Sequence, residues 1–203
     1  MSSPDPRASA NDPLRGHPDS RLPSSRDVAA LGRPRVGIDP RGDVGHVNLT
    51  VADLERSLRF YRDLLGLHVT QRDEQSAFLA CGAYHHHVAL NRWDATAIAP
   101  PRHSTGLHHF AMRLPDTTAL ADVVARLLDG DQQLLGATDH GVNLAVYLRD
   151  PDGNGVELMV DRPGPEWPRA ADGSIAMRVE PFDLRALVLR VLAADAPAQP
   201  DAS

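Results

Sequence analysis

Two stretches of this chain echo each other: "GHVNLTVADLERSLRFYRDLLG" at residues 45–66 and "HHFAMRLPDTTALADVVARLLDG" at residues 108–130. With His46 set against His109, 63 positions apart, Leu49 meets Met112, Val51 meets Leu114 and Asp53 meets Asp116. Each copy opens with alternating apolar residues, the period of a strand. Asp53 and Asp116 follow as helix N-caps, since a short carboxylate accepts the free N–H groups of a first helical turn. Apolar residues then recur at helical spacing: Leu54, Leu58, Tyr61 and Leu65 in the first copy, Leu120, Val123, Val124 and Leu127 in the second. Gly66 and Gly130 close the two helices.

Strand-like runs come next in both copies. The first gives "LHVTQR", "SAFLACG" and "HHHVALN"; the second gives "QLLGATD", "NLAVYLRD" and "GVELMVD". The last two are separated by "DPDGNG" (150–155), a strong turn signal. The chain is therefore expected to be α+β, with two tandem βαβββ units at about 44–92 and 106–161 within a domain of residues 41–162. Seven of the 17 prolines fall in residues 1–40, among many Ser, Asp and Arg, which reads as a loosely attached tail. Residues 163–195 form a C-terminal extension, Pro-rich around Trp167 and ending in "FDLRALVLRVL". That run gives a short helix with Leu184, Leu187, Val188 and Val191 on one face. Residues 196–203 read as a second tail.

Composition limits what the chain can do. Of its 203 residues, 42% are hydrophobic, enough for a core, and the net charge is −6. An acidic chain lacks the basic footprint of a nucleic-acid binder. No apolar run approaches membrane-spanning length, and the N-terminus has no signal-peptide core, so neither membrane nor secretion is expected. Cys81 is the single cysteine, which excludes an internal disulfide and fits a reducing cytoplasm.

Three residues stand out as metal ligands. His46 and His109 open equivalent strands, and a pseudo-twofold axis between the units would turn them toward each other. Glu157 is an acid inside an otherwise apolar strand, a costly placement unless the carboxylate is paired or metal-bound. Two histidines and one carboxylate make a facial triad with open positions, suited to Fe(II) or Mn(II). Taken singly, each has a blander reading: a strand-start histidine is more often structural, and His108 could exchange roles with His109. With "VAL" (88–90) aligned to "VEL" (156–158), Ala89 sits opposite Glu157, so the first copy supplies no carboxylate there.

The paired units, the histidine opening each and the late "GVEL" resemble the vicinal oxygen chelate superfamily, over about residues 44–161. The resemblance implies a curved sheet cupped around a metal held by His46, His109 and Glu157. It also separates branches. Proteins resembling glyoxalase I carry a fourth ligating glutamate where this chain has Ala89. The branch of extradiol ring-cleavage dioxygenases, of the catechol 2,3-dioxygenase type, carries three accessory residues that match His86 in "HHVAL", His140 in "DHGVNLAVY" and Tyr147, ten residues before Glu157. The resemblance implies that Tyr147 and His140 handle the protons of a catecholic substrate and that His86 acts as an acid near the reacting oxygen. Strand parity from Ala89 favours His87 over His86; the resemblance selects His86, which requires a break in alternation between them.

The expected activity is Fe(II)-dependent cleavage of a catechol-like diol with O2, in a homo-oligomer. Its alternatives are a metal-dependent lyase or isomerase and a small-molecule-binding resistance module. The C-terminal extension is expected either to cover the mouth of the cup or meet a second subunit, or to pack its helix on the back of the sheet.

Overall fold

Each half of the chain runs strand, helix, then three strands. β1 (Val47–Thr50) leads to α1 (Leu54–Leu58), which widens into a π-helical stretch over Arg59–Leu64; β2 (His68–Arg72), β3 (Ser76–Ala80) and β4 (Val88–Asn91) follow. The second half has β5 (His109–Arg113), α2 (Thr117–Asp129), β6 (Leu134–Asp139), β7 (Asn143–Arg149) and β8 (Gly155–Asp161). A short 3₁₀ turn at Gly164–Glu166, the two-residue β9 (Glu180–Pro181) and α3 (Leu184–Ala194) complete the fold. This is a computed structural model that describes residues 37–93 and 105–194 together with Arg26 and Ile98. Apart from Arg26 and residues 37–40, the expected N-terminal tail lies outside the described residues, as does the tail at 196–203.

The strands form one sheet per unit, ordered β1-β4-β3-β2 and β5-β8-β7-β6-β9. In each sheet the first strand pairs parallel with the fourth, because the helix carries the chain back across. The remaining pairs are antiparallel. The α+β class and the two βαβββ units are those read from the sequence. β9, an added edge strand beside β6, was not.

The caps form as the sequence indicates: Asp53 accepts from the Arg56 N–H and Asp116 from the Ala119 N–H. The first helix differs from a 3.6-residue reading. The Leu65 N–H bonds back to the Phe60 carbonyl, five residues earlier, and the wider turn lets both Phe60 and Tyr61 be buried. One face of each sheet packs on the helices in a common core with Leu58, Tyr61, Leu120, Val124, Leu90 and Leu158. The opposite faces carry alternate residues, among them Asn48, Phe78 and Ala89 in the first sheet and His109, Tyr147 and Glu157 in the second.

Two aspartates in the "DPDGNG" turn fasten the units together. Asp152 accepts hydrogen bonds from the Ala52 N–H (3.2 Å), the Arg56 guanidinium (2.6 Å) and the Ser57 hydroxyl (3.1 Å). Asp150, itself buried, accepts from the Tyr61 hydroxyl at 2.8 Å while its other contacts close the turn through Asp152 and Asn154. Burial, with the Asp150 carboxylate beside it, pushes the Tyr61 phenol far above its ordinary range, so it stays a donor. The Tyr61 ring also stacks on Phe110 of the second unit. α3 packs on α2 through Leu187 and Val188, with Leu184 and Val191 partly buried, so the apolar face read from the sequence is the one used. Among the described residues no helix is long and apolar enough to cross a membrane.

Removing the Tyr61 hydroxyl should cost about 1.5–3 kcal/mol, the worth of a hydrogen bond to a charged acceptor. Folding raises this phenol above the roughly 10 of an unfolded tyrosine. Its contribution is therefore whole below about pH 10 and is lost as pH rises beyond it. Urea unfolding of wild type and Tyr61→Phe at neutral pH and above pH 10 checks both: the gap between the two narrows in alkali.

Candidate metal centre

The second sheet gathers three of the expected residues by register. Ala111 on β5 and Tyr147 on β7 both pair with Glu157 on β8, and His109 pairs with Gly155, two residues before Glu157. Residues opposed across a sheet share a face, so His109, Tyr147 and Glu157 project together. A side chain at Gly155 would put its Cβ 2.3 Å from the His108 carbonyl oxygen and 2.8 Å from the His109 Cβ. Glycine at the start of "GVEL" is what lets β5 come close enough for His109 to reach Glu157. The Nε2 of His109 lies 3.0 Å from the Glu157 carboxylate, and its Nδ1 lies 2.8 Å from Nδ1 of His108.

Glu157 is only 6% exposed. Its spacing from His109 suits a divalent cation: two donors each about 2.1 Å from one ion and at right angles are about 3.0 Å apart. Beside them stands Tyr147, its ring 5.7 Å from that of His109. Burial raises the Tyr147 phenol to about 12, and the Glu157 carboxylate adds to the effect. The Tyr147 hydroxyl is 2.8 Å from Nε2 of His140, whose Nδ1 is 2.9 Å from the Arg178 carbonyl oxygen.

The first sheet repeats the frame with different side chains. Asn48 and Phe78 both pair with Ala89, as Ala111 and Tyr147 pair with Glu157. Ala89 thus stands in the glutamate's place and Phe78 in the tyrosine's. The residues before β4 are not strand, so alternation does not govern them. His86 turns to His46, ring centroids 4.4 Å apart, and to Phe78 at 5.1 Å. His87 turns away, its Nδ1 3.3 Å from the Cys81 backbone N–H. Burial lowers the His86 imidazole below its ordinary range, with His46, His85 and His87 adding to it. His85 touches His86, their Nδ1 atoms 2.7 Å apart, and remains exposed.

The two groups are not joined. Among the described residues, no three side chains of His, Cys, Asp or Glu lie close enough to hold a metal, so His46 is apart from His109 and Glu157. It precedes the edge strand of the other sheet, and its ring rests against His86. A cleft of about 640 Å³ lies over the first sheet, lined by Asn48, Gln71, Ser76, Phe78, Asn91 and Trp93 among others. None of the expected ligands lines it; it offers room for an organic ligand and is not where the donor pair sits. Asn91 donates to Asn48 at 2.7 Å on its floor. Phe78 was overlooked in the sequence, although the repeat places it opposite Tyr147. Arg178 carried no sequence signal.

A family profile described as "Glyoxalase/Bleomycin resistance protein/Dioxygenase superfamily" matches residues 43–158. The chain belongs to this superfamily. It is 37% identical to a catechol-2,3-dioxygenase of Bacillus subtilis over 71% of this chain and 50% of that protein. It is 34% identical to biphenyl-2,3-diol 1,2-dioxygenase 3 of Rhodococcus globerulus over 61% of this chain and 65% of that one. The chain thus spans half to about two thirds of the length of these relatives. Relatives at 30% identity and below include glutathione transferase FosA of Serratia marcescens and a lactoylglutathione lyase of Haemophilus influenzae. The fold matches the crystal structure of a glyoxalase/dioxygenase from Nostoc punctiforme with a TM-score of 0.54 at 19% identity, covering 64% of this chain and 99% of that one.

A buried carboxylate held only by an imidazole and a phenol is a poor stabiliser. Glu157→Met should therefore leave the metal-free chain as stable as wild type or more stable by about 1 kcal/mol in urea unfolding. A clear loss would make Glu157 a structural residue.

Proposed function

We propose that this chain is an Fe(II)-dependent extradiol dioxygenase that opens a catechol-like diol with O2 to a ring-opened semialdehyde. The observation that carries the reading is Glu157 and Tyr147 side by side on one sheet, with His140 of the β6–β7 turn bonded to the Tyr147 hydroxyl and Ala89 in the position where a fourth ligand, a second carboxylate, would close the coordination. His109 and Glu157 fit a divalent cation by their spacing, and the third donor is assigned to His46, which lies apart from them here and would have to approach them for one ion to be held by all three. Fe(II), with Mn(II) as the other metal such donors suit, would bind the two catechol oxygens and O2 and mediate electron transfer between them.

The chain's own residues handle the protons. A catechol must lose protons to bind through both oxygens. Tyr147 accepts and orients one of them and His140, hydrogen-bonded to its hydroxyl, takes up the charge. His86 is the acid on the opposite side. Its ring stands against Phe78 and His46, and burial lowers its proton affinity, so it would take up a proton to pass on only as negative charge builds beside it. Phe78, in contact with His86, offers an apolar face for an aromatic ring; the cleft lined by Asn48, Asn91 and Trp93 lies away from the donor pair. The similarity to two proteins named for catechol and biphenyl-diol cleavage supports the reading. The relative named as a lactoylglutathione lyase marks the alternative; the fourth glutamate that the glyoxalase I resemblance would call for is replaced here by Ala89.

The test is to load the full chain with Fe(II) without air, add catechol and 4-substituted catechols, admit oxygen, and follow oxygen uptake with the yellow ring-fission product. Uptake matched to colour is expected. Bound iron with neither signal would overturn the reading in favour of a lyase or isomerase, to be assayed on hemithioacetals. His109→Ala should abolish metal binding in equilibrium dialysis. His86→Ala should keep the metal and slow turnover about 10²–10⁴-fold, the usual worth of a placed proton donor. The same loss in His87→Ala with none in His86→Ala would assign the role to the other histidine.

A further inference from the structure

His140 is held by a segment that lies beyond the paired units. Its Nδ1 faces the Arg178 carbonyl oxygen at 2.9 Å, and its own carbonyl accepts from the Arg178 N–H at 3.1 Å. A carbonyl can only accept, so Nδ1 carries the hydrogen. In the neutral ring Nε2 can then only accept, so any hydrogen bond across the 2.8 Å to Tyr147 runs from the phenol, whose single hydrogen the Glu157 carboxylate also draws on. The direction of the tyrosine–histidine hydrogen bond is thus set by the backbone of residue 178.

Three features hold that backbone in place. The Arg178 guanidinium meets Asp139, the residue before His140, at 3.3 Å, and Arg162 meets the same carboxylate oxygen at 2.8 Å. The other Asp139 oxygen accepts from the Gly141 N–H at 2.7 Å. β9 pairs Glu180 with Asp139 and Pro181 with Thr138, adding the segment to the sheet edge. Gly141 makes room: it has φ +77°, and a Cβ there would fall 2.8 Å from Pro168 Cγ and 3.5 Å from Arg178 Cγ.

We infer that Arg178 is a positioning residue: its ion pair with Asp139 docks the 168–181 segment so that its carbonyl fixes His140 as the acceptor of the Tyr147 proton. The extension is then part of the site. Its helix packs elsewhere, on α2, while its strap reaches the proton-handling pair. A mere tether for α3 would not need this carbonyl to face an imidazole. The kinetic consequence rests on the ring-cleavage reading; the tautomer does not.

The experiment is nitrogen-15 NMR of the full chain labelled at histidine, at about pH 8 where imidazole is neutral, with His140 assigned by comparison with His140→Gln. Wild type should show the hydrogen on Nδ1. Arg178→Ala should move it toward Nε2 or to a mixture, and Arg178→Lys should restore Nδ1. Wild type protonated on Nε2, or an unchanged tautomer in Arg178→Ala, would overturn the proposal. In the iron-loaded protein, Arg178→Ala should lower kcat about 10–100-fold with metal content and KM for catechol retained, and Arg178→Lys should recover most of it. Unchanged kcat in Arg178→Ala of an enzyme that does cleave catechol would also overturn it. If the tautomer shifts as expected while no variant cleaves catechol, the positioning stands and the dioxygenase reading falls.

Discussion

The hydrogen bonds of Asp150 and Asp152 to the first unit's helix are the constraint on which the rest of the arrangement depends. Each unit presents an apolar face that must be buried, and neither sheet has strands enough to close on itself. The two carboxylates meet Ala52, Arg56, Ser57 and Tyr61 where the units' apolar surfaces join. The turn that carries them leads directly into β8 and so into Glu157. A turn that closes a hairpin also fixes how the strand bearing the buried acid sits against the other half of the chain.

On that shared frame the two halves have divided the chemistry. Registers are equivalent, yet the second sheet offers a carboxylate and a phenol where the first offers alanine and phenylalanine. The polar set on one side carries groups suited to holding charge and moving protons. The first sheet also carries an open volume, over Asn48, Phe78 and Asn91. A repeat with identical halves would place two carboxylates about one metal. Ala89 supplies no donor there, which on the proposed reading would leave coordination positions for small molecules.

Much of this was legible in the sequence because it rests on local periodicity. The offset between His46 and His109 gave the duplicated βαβββ frame, the capping aspartates gave both helix starts, and the spacing from Tyr147 to Glu157 put them on neighbouring strands. What was not legible depends on long-range contact or on departure from regular geometry. The π-helical turn that buries Phe60 with Tyr61 breaks the helical period. His86 and His87 cannot be ordered by strand parity because β4 starts after both. The docking of Arg178 on Asp139 joins residues 39 apart through a segment with no periodic pattern, so neither β9 nor its bond to His140 had a local signature. The separation of His46 from the His109–Glu157 pair is likewise a matter of how two sheets are set.

The central claim is that His46, His109 and Glu157 hold one metal on which a catechol binds next to Tyr147. A crystal structure of the full chain loaded with Fe(II) and soaked with catechol under anaerobic conditions tests it most directly. The account predicts iron on all three side chains, both catechol oxygens on the iron, and the Tyr147 hydroxyl against one of them. Iron bound elsewhere, or catechol seated in the first sheet's cleft without touching the metal, would contradict it.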